Sequence, residues 1–158
     1  MKKMNKTTRT LCLAGIIAAL YAALTMALPI LSYGAWQVRF SEALTILPVV
    51  MPASVPGLFV GCLIANLLSP VGALDVIFGS LATLLGALGT RYFRKNLPLA
   101  AACPVIANGV IVGIMLAVVY QLPMVLTMLQ VAVGEVVAVL VGCLLLKYMP
   151  KQLKELDN

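Results

Sequence analysis

The chain has 158 residues, of which 63% are hydrophobic and 10% charged, with a mean hydropathy of +1.09 and a formal net charge of +6. A soluble domain holds roughly 45 to 50% apolar residues, so a water-soluble fold is excluded and the chain reads as an integral membrane protein. The basic excess does not call for a nucleic-acid partner: Lys2, Lys3, Lys6 and Arg9, then Arg91, Arg94 and Lys95, then Lys147, Lys151 and Lys154 flank apolar runs, as topology-setting charges do.

The first apolar run, residues 11–31, follows the basic start, and its 21 residues exceed the roughly 7 to 15 of a signal-peptide core, so a retained transmembrane helix is expected. Ala14, Ala18 and Ala22 recur on it at four-residue spacing, with Gly15, Ala19, Ala23 and Ala27 on the adjacent stripe. Small residues at this spacing let helices approach closely in lipid, either within one bundle or against another subunit.

Residues 38–69 form the ambiguous segment, with Pro48, Pro52 and Pro56, and read as one long kinked span or two short ones. Residues 71–90, 97–120 and 122–146 each supply about the 20 residues needed to cross roughly 30 Å of hydrocarbon. If all three basic clusters face the cytoplasm, an even number of crossings separates each from the next, and residues 38–69 must supply two short spans broken near Pro52 to Pro56. The expected fold is therefore an all-α integral membrane protein, a six-transmembrane-helix bundle with N- and C-termini cytoplasmic. It would form one domain over residues 1–158 and sit in the lipid bilayer of the plasma membrane as a multi-pass chain.

Further small-residue patterns, Gly72, Gly79 and Gly86, then Gly109 and Gly113, then Gly134, Ala138 and Gly142, read as packing inside the bundle. Cys12, Cys62, Cys103 and Cys143 stand singly in apolar runs of a chain without histidine, which suits buried small side chains better than metal ligands.

A charged side chain in a membrane helix costs roughly 2.5 to 3.5 kcal/mol at the centre, so each needs a reason. Arg39, Glu42, Asn66, Asp75 and Gln121 fall near the outer surface in the six-span topology, with Gln130 in the outer half of the last helix and Glu135 near its middle. Asn108 adds a further amide. The polar set thus lies opposite the basic clusters and describes a pocket open to the outside. Plainer accounts exist: Ser41 as a helix N-cap with Glu42 in the first turn, Asp75 in another first turn, Arg39 reaching to lipid headgroups, and Tyr33 and Trp36 in an interfacial belt. Glu135 has no such account.

The chain has no GxxxxGK[ST], HExxH or GxSxG motif, so neither ATP hydrolysis nor membrane-embedded hydrolysis is expected of it. A binding subunit that borrows energy from partners is one reading; an ion-coupled secondary carrier, protonating at Glu135 or Asp75, is the other.

The decamer RFSEALTILP, residues 39–48, resembles the signature of the QueT-type family of queuosine-precursor transporters, and the similarity runs over the whole chain. The resemblance implies a substrate-binding S component of an energy-coupling factor (ECF) transporter that takes up a deazaguanine base. It implies partnership with a transmembrane coupling subunit and two ATPase subunits that use ATP, with no cofactor in this chain. Ala14, Ala18 and Ala22 match the AxxxA pattern by which S components meet the coupling subunit. A sibling S component for another vitamin is the nearest alternative. For a deazaguanine, the candidate ligand-binding residues are Trp36, Arg39, Glu42, Asn66, Asp75, Asn108, Gln130 and Glu135. A carboxylate can accept the base's N–H and exocyclic amine as a pair, an aminomethyl substituent would call for a second acid, and aromatic rings stack on flat bases.

Overall fold

The computed structural model of the chain describes residues 5–27 and 39–150. Among these residues the regular structure is all helix, in six successive helices joined by short turns. They are α1 (Lys6–Ala27), α2 (Phe40–Val49), α3 (Ser54–Asn66), α4 (residues 75–92), α5 (Leu97–Tyr120) and α6 (Met124–Tyr148). The order of helices follows the sequence expectation, including the break of residues 38–69 into two short pieces.

Prolines and single turn residues make the breaks. Pro56 sits in the first turn of α3, where its missing N–H has no helical partner to lose. Asn96 caps α5 by accepting the N–H of Leu99 through its side chain, just before Pro98. Gln121 ends α5 in the left-handed conformation at φ 55°, donating its side-chain amide to the Val118 carbonyl, and Pro123 then prevents the helix from continuing. Gly72, assigned to packing by its spacing, instead takes φ 71° in the turn before α4 with open space around it.

α1, α5 and α6 are each long and apolar enough to cross a membrane, whereas α2 and α3 are shorter apolar helices. α2 winds as a ten-residue 3-10 helix. At about 2.0 Å per residue it reaches roughly 20 Å, against about 15 Å for the same residues in an α-helix. Its residues 41–48 are all buried, so this irregular backbone is shielded by protein, as lipid requires. Gly142 of α6 makes the approach possible, because a side chain there would strike the Ala43 carbonyl.

The first helix turns its alanine row inward. Ala18 and Ala22 are buried and Ala14 is half-buried, with the Ala14 and Ala18 backbones over Gly57 and Gly61 of α3. A Cβ added at either glycine would come within 2.7 Å of an α1 carbonyl. Ala14 and Ala18 of the row expected to face a partner thus lie beside α3, and the exposed small stripe is Gly15, Ala19, Ala23 and Ala27.

Two contacts orient the short helices. Arg39, just before α2, meets Asp75 at the start of α4, while Arg91, near the end of α4, donates to the Pro48 carbonyl at 3.1 Å, near the end of α2. α2 and α4 thus run in the same direction. The end bearing Arg39 and Asp75 is polar inside, and the opposite end carries Arg91, Arg94 and Lys95.

Candidate solute-binding site

Six buried polar or charged side chains converge at the start of α2: Arg39, Glu42, Asn66, Asp75, Asn108 and Glu135. Each comes from a helix end or an irregular turn, except Glu135 in the body of α6. Asp75 opens a π turn, Asp75–Gly79, at the head of α4, and Asn108 opens another, Asn108–Val112, inside α5. Such turns widen the helix by one residue and recur at functional sites.

Arg39 Nη2 pairs with Asp75 Oδ2 at 3.0 Å, both side chains at 5% exposure or less. Asn66, the last residue of α3, donates to the Asp75 backbone carbonyl at 2.9 Å. Gly79 provides the room: a Cβ there would lie 2.7 Å from both Asn66 Nδ2 and Asp75 Oδ1. Cys62 accepts from Thr83 at 3.3 Å and from Asn66 at 3.4 Å, so this thiol belongs to the polar network and not only to the apolar packing.

Glu42 is anchored from α1, where the buried Tyr21 phenol donates to its Oε1. One turn further along α1, Thr25 donates to Ser41 Oγ at 2.7 Å and so binds the same two helices. Ser41 therefore ties α2 to α1 and makes no N-cap, and Arg39 occupies the capping position without a side-chain bond to the helix. Arg39 and Asp75 are likewise buried partners, so neither is accounted for by lipid headgroups or by a helix start alone.

Arg39, Glu42, Asn108, Val112, Val131 and Glu135 enclose a polar cavity of about 10 Å³, room for a single water. Five polar atoms of the cluster have no hydrogen-bond partner among the described residues: Glu42 Oε2, Glu135 Oε1, Asp75 Oδ1, Asn66 Oδ1 and Asn108 Nδ2. Buried polar groups are rarely left so, which makes this cluster the candidate site. Two larger grooves, of about 350 and 680 Å³, have almost wholly apolar walls and include exposed side chains such as Phe78, Val118 and Leu144. They belong to the apolar outer surface of the bundle.

Of the residues expected from sequence, Arg39, Glu42, Asn108 and Glu135 share the cavity, and Asn66 and Asp75 form the layer joined to it through Arg39. Gln130 is half-buried and does not line the cavity. Trp36 and Tyr33 lie outside the described residues. Sequence reasoning missed Tyr21, Thr25 and Thr83, which no charge or spacing sets apart from their apolar helices.

Among the described residues the chain is an all-helical apolar bundle with three helices long and apolar enough to cross a membrane and a charged interior at one end, the build of a membrane protein. The chain belongs to the QueT transporter family, whose model matches residues 11–151. It is thus a transport protein rather than an enzyme. No curated protein and no solved structure matches the chain.

Proposed function

We propose that the protein is the substrate-binding membrane subunit, the S component, of an ECF-type importer, and that its solute is a queuosine precursor with a deazaguanine base. Family membership supports the transport role. The observation that carries the ligand reading is the buried cluster of partnerless acceptors on Glu42, Asn66, Asp75 and Glu135 beside the Arg39 guanidinium. A deazaguanine presents adjacent N–H donors that carboxylate or amide oxygens accept, and a carbonyl that a guanidinium donates to.

With the basic Arg91 to Lys95 loop cytoplasmic, the polar end faces outward and six crossings leave both termini inside the plasma membrane. The protein binds its solute outside and releases it inside when coupled to partners. Two ATPase subunits supply ATP hydrolysis through a transmembrane coupling subunit, and this chain carries no cofactor. The coupling subunit meets α1 on the exposed stripe of Gly15, Ala19 and Ala23 and the accessible side of Ala14, since Ala18 lies against α3 and Ala22 is buried.

Uptake of labelled precursor into proteoliposomes tests the assignment. The expected result is uptake only when the chain is reconstituted with the coupling subunit and ATPases and supplied with ATP. Uptake by the chain alone, driven by a proton or sodium gradient, would establish an ion-coupled carrier instead.

A further inference from the structure

We propose that the groove between the start of α5 and the end of α6 holds an anionic phospholipid, with its headgroup at Lys147 and an acyl chain along the leucines beneath. The groove is separate from the candidate solute site, since α6 rises roughly 18 Å from Glu135 to Lys147 at about 1.5 Å per residue. The inference goes beyond the proposed function and does not depend on which solute the protein carries.

Spacing along α6 makes the first argument. Leu140, Cys143, Leu144 and Lys147 line the groove together with Leu146 and with Leu97 at the start of α5, and its volume is about 680 Å³. Residues at intervals of three and four share one face of a helix, so the groove follows α6 for two turns, about 10 Å, from Leu140 to Lys147. Its wall is apolar except for one ammonium, which stands at the end nearest the helix terminus. Leu97, Leu140 and Leu144 are exposed, so no other part of the described chain covers them.

Charge gives the second. The three acidic residues among the described ones, Glu42, Asp75 and Glu135, are all buried in the cluster at the other end of the bundle. Arg94 and Lys95 are exposed in the turn that leads into Leu97, beside the end of the groove that Lys147 marks. Among the described residues the Lys147 ammonium meets the Tyr148 ring, 5.9 Å from its centroid, and no carboxylate. What this end of the bundle lacks is an anion.

Depth gives the third. Tyr92 at the end of α4 and Tyr148 at the end of α6 are exposed at this same end, as in the aromatic belts that lie level with lipid headgroups. A phospholipid supplies an anionic phosphate at that level and an apolar chain below it in one molecule. Basic pockets between helices at a membrane face recognise anionic headgroups in this way. A zwitterionic lipid carries its own cation beside the phosphate and gains less from Lys147. A partner's transmembrane helix presents a face of roughly 30 Å and would overrun a groove of about 10 Å.

Native mass spectrometry of the full-length chain, released from detergent holding equal phosphatidylglycerol and phosphatidylcholine with the same acyl chains, reads which lipid stays bound. Phosphatidylglycerol is expected to be retained about fivefold more, the preference that one basic side chain near a membrane surface supplies. In Lys147→Gln the ratio should fall toward one, whereas Lys6→Gln, which removes the same charge from the exposed start of α1, should keep it. Both lysines are exposed, so neither substitution threatens the fold. Phosphatidylglycerol with a photoreactive group on its acyl chain should mark residues 140–147. Equal retention of the two lipids would overturn the site, as would a preference that persists in Lys147→Gln or falls equally in both variants. Marking spread evenly over the outer faces of the helices would overturn it too. A lipid-free dimer would give the groove to a second copy of the chain and refute the proposal.

Discussion

The phenol of Tyr21 on α1 donates to the carboxylate of Glu42 on α2, and both side chains are buried. The bond fixes one carboxylate oxygen and directs the other toward the cavity shared with Glu135. Tyr21 is thus a positioning residue for the candidate site. Replacing it by phenylalanine keeps the ring packing and removes the donor, leaving a buried acceptor unmet at a cost of about 1 to 3 kcal/mol. Thermal unfolding of purified Tyr21→Phe should show that loss, with weaker ligand binding. An unchanged midpoint and affinity would mean that the bond contributes nothing.

The Arg39–Asp75 pair makes a sharper test, because removing one partner of a buried pair strands the other. Arg39→Met and Asp75→Leu are each expected to destabilise by about 3 to 5 kcal/mol, whereas the double variant should recover a large part of the loss. Denaturation of all four proteins in one detergent measures the coupling. Additive losses would show that the two groups do not interact.

Gly79 is expected to tolerate no side chain. Gly79→Ala places a methyl 2.7 Å from both Asn66 Nδ2 and Asp75 Oδ1, so those groups must shift. The expected cost is about 1 to 3 kcal/mol, with ligand affinity falling alongside it. Binding and unfolding measurements that match the unaltered protein would contradict the packing described for this layer.

The two faces of α1 should respond oppositely. Gly61→Val presses on the Ala18 carbonyl and should destabilise the chain by roughly 1 to 3 kcal/mol or more. Ala19→Leu on the exposed stripe should leave stability within about 0.5 kcal/mol and ligand binding intact, yet prevent co-purification with the coupling subunit. Retained assembly in Ala19→Leu would remove α1 from the docking surface.

Much of this architecture is legible in the sequence, and the illegible part has one physical cause. Pro52 and Pro56 mark the break between α2 and α3 because they act on the backbone, whose rules hold in lipid and water alike. Arg39, Glu42, Asp75 and Glu135 stand out because charge is costly in hydrocarbon. Which side of a helix faces inward is hidden, since lipid and protein core are both apolar and the hydrophobic stripe of a soluble helix has no counterpart. That is why the stripes of Ala14, Ala18 and Ala22 and of Gly15, Ala19 and Ala23 cannot be told apart by pattern, and why Tyr21 passes as one more apolar residue. The 3-10 winding of α2 is equally silent in the sequence, and so are the burial of residues 41–48 and the close approach of Gly142, to which distant parts of the chain contribute.

The central claim is that the cluster at the start of α2 binds a deazaguanine. Saturation binding of a labelled aminomethyl-deazaguanine to the purified chain in nanodiscs tests it most directly. One saturable site per chain, competed by the unlabelled base and lost in Glu42→Ala and Asp75→Ala variants that remain folded, is the expected result. No saturable binding, or binding indifferent to both substitutions, would contradict the account.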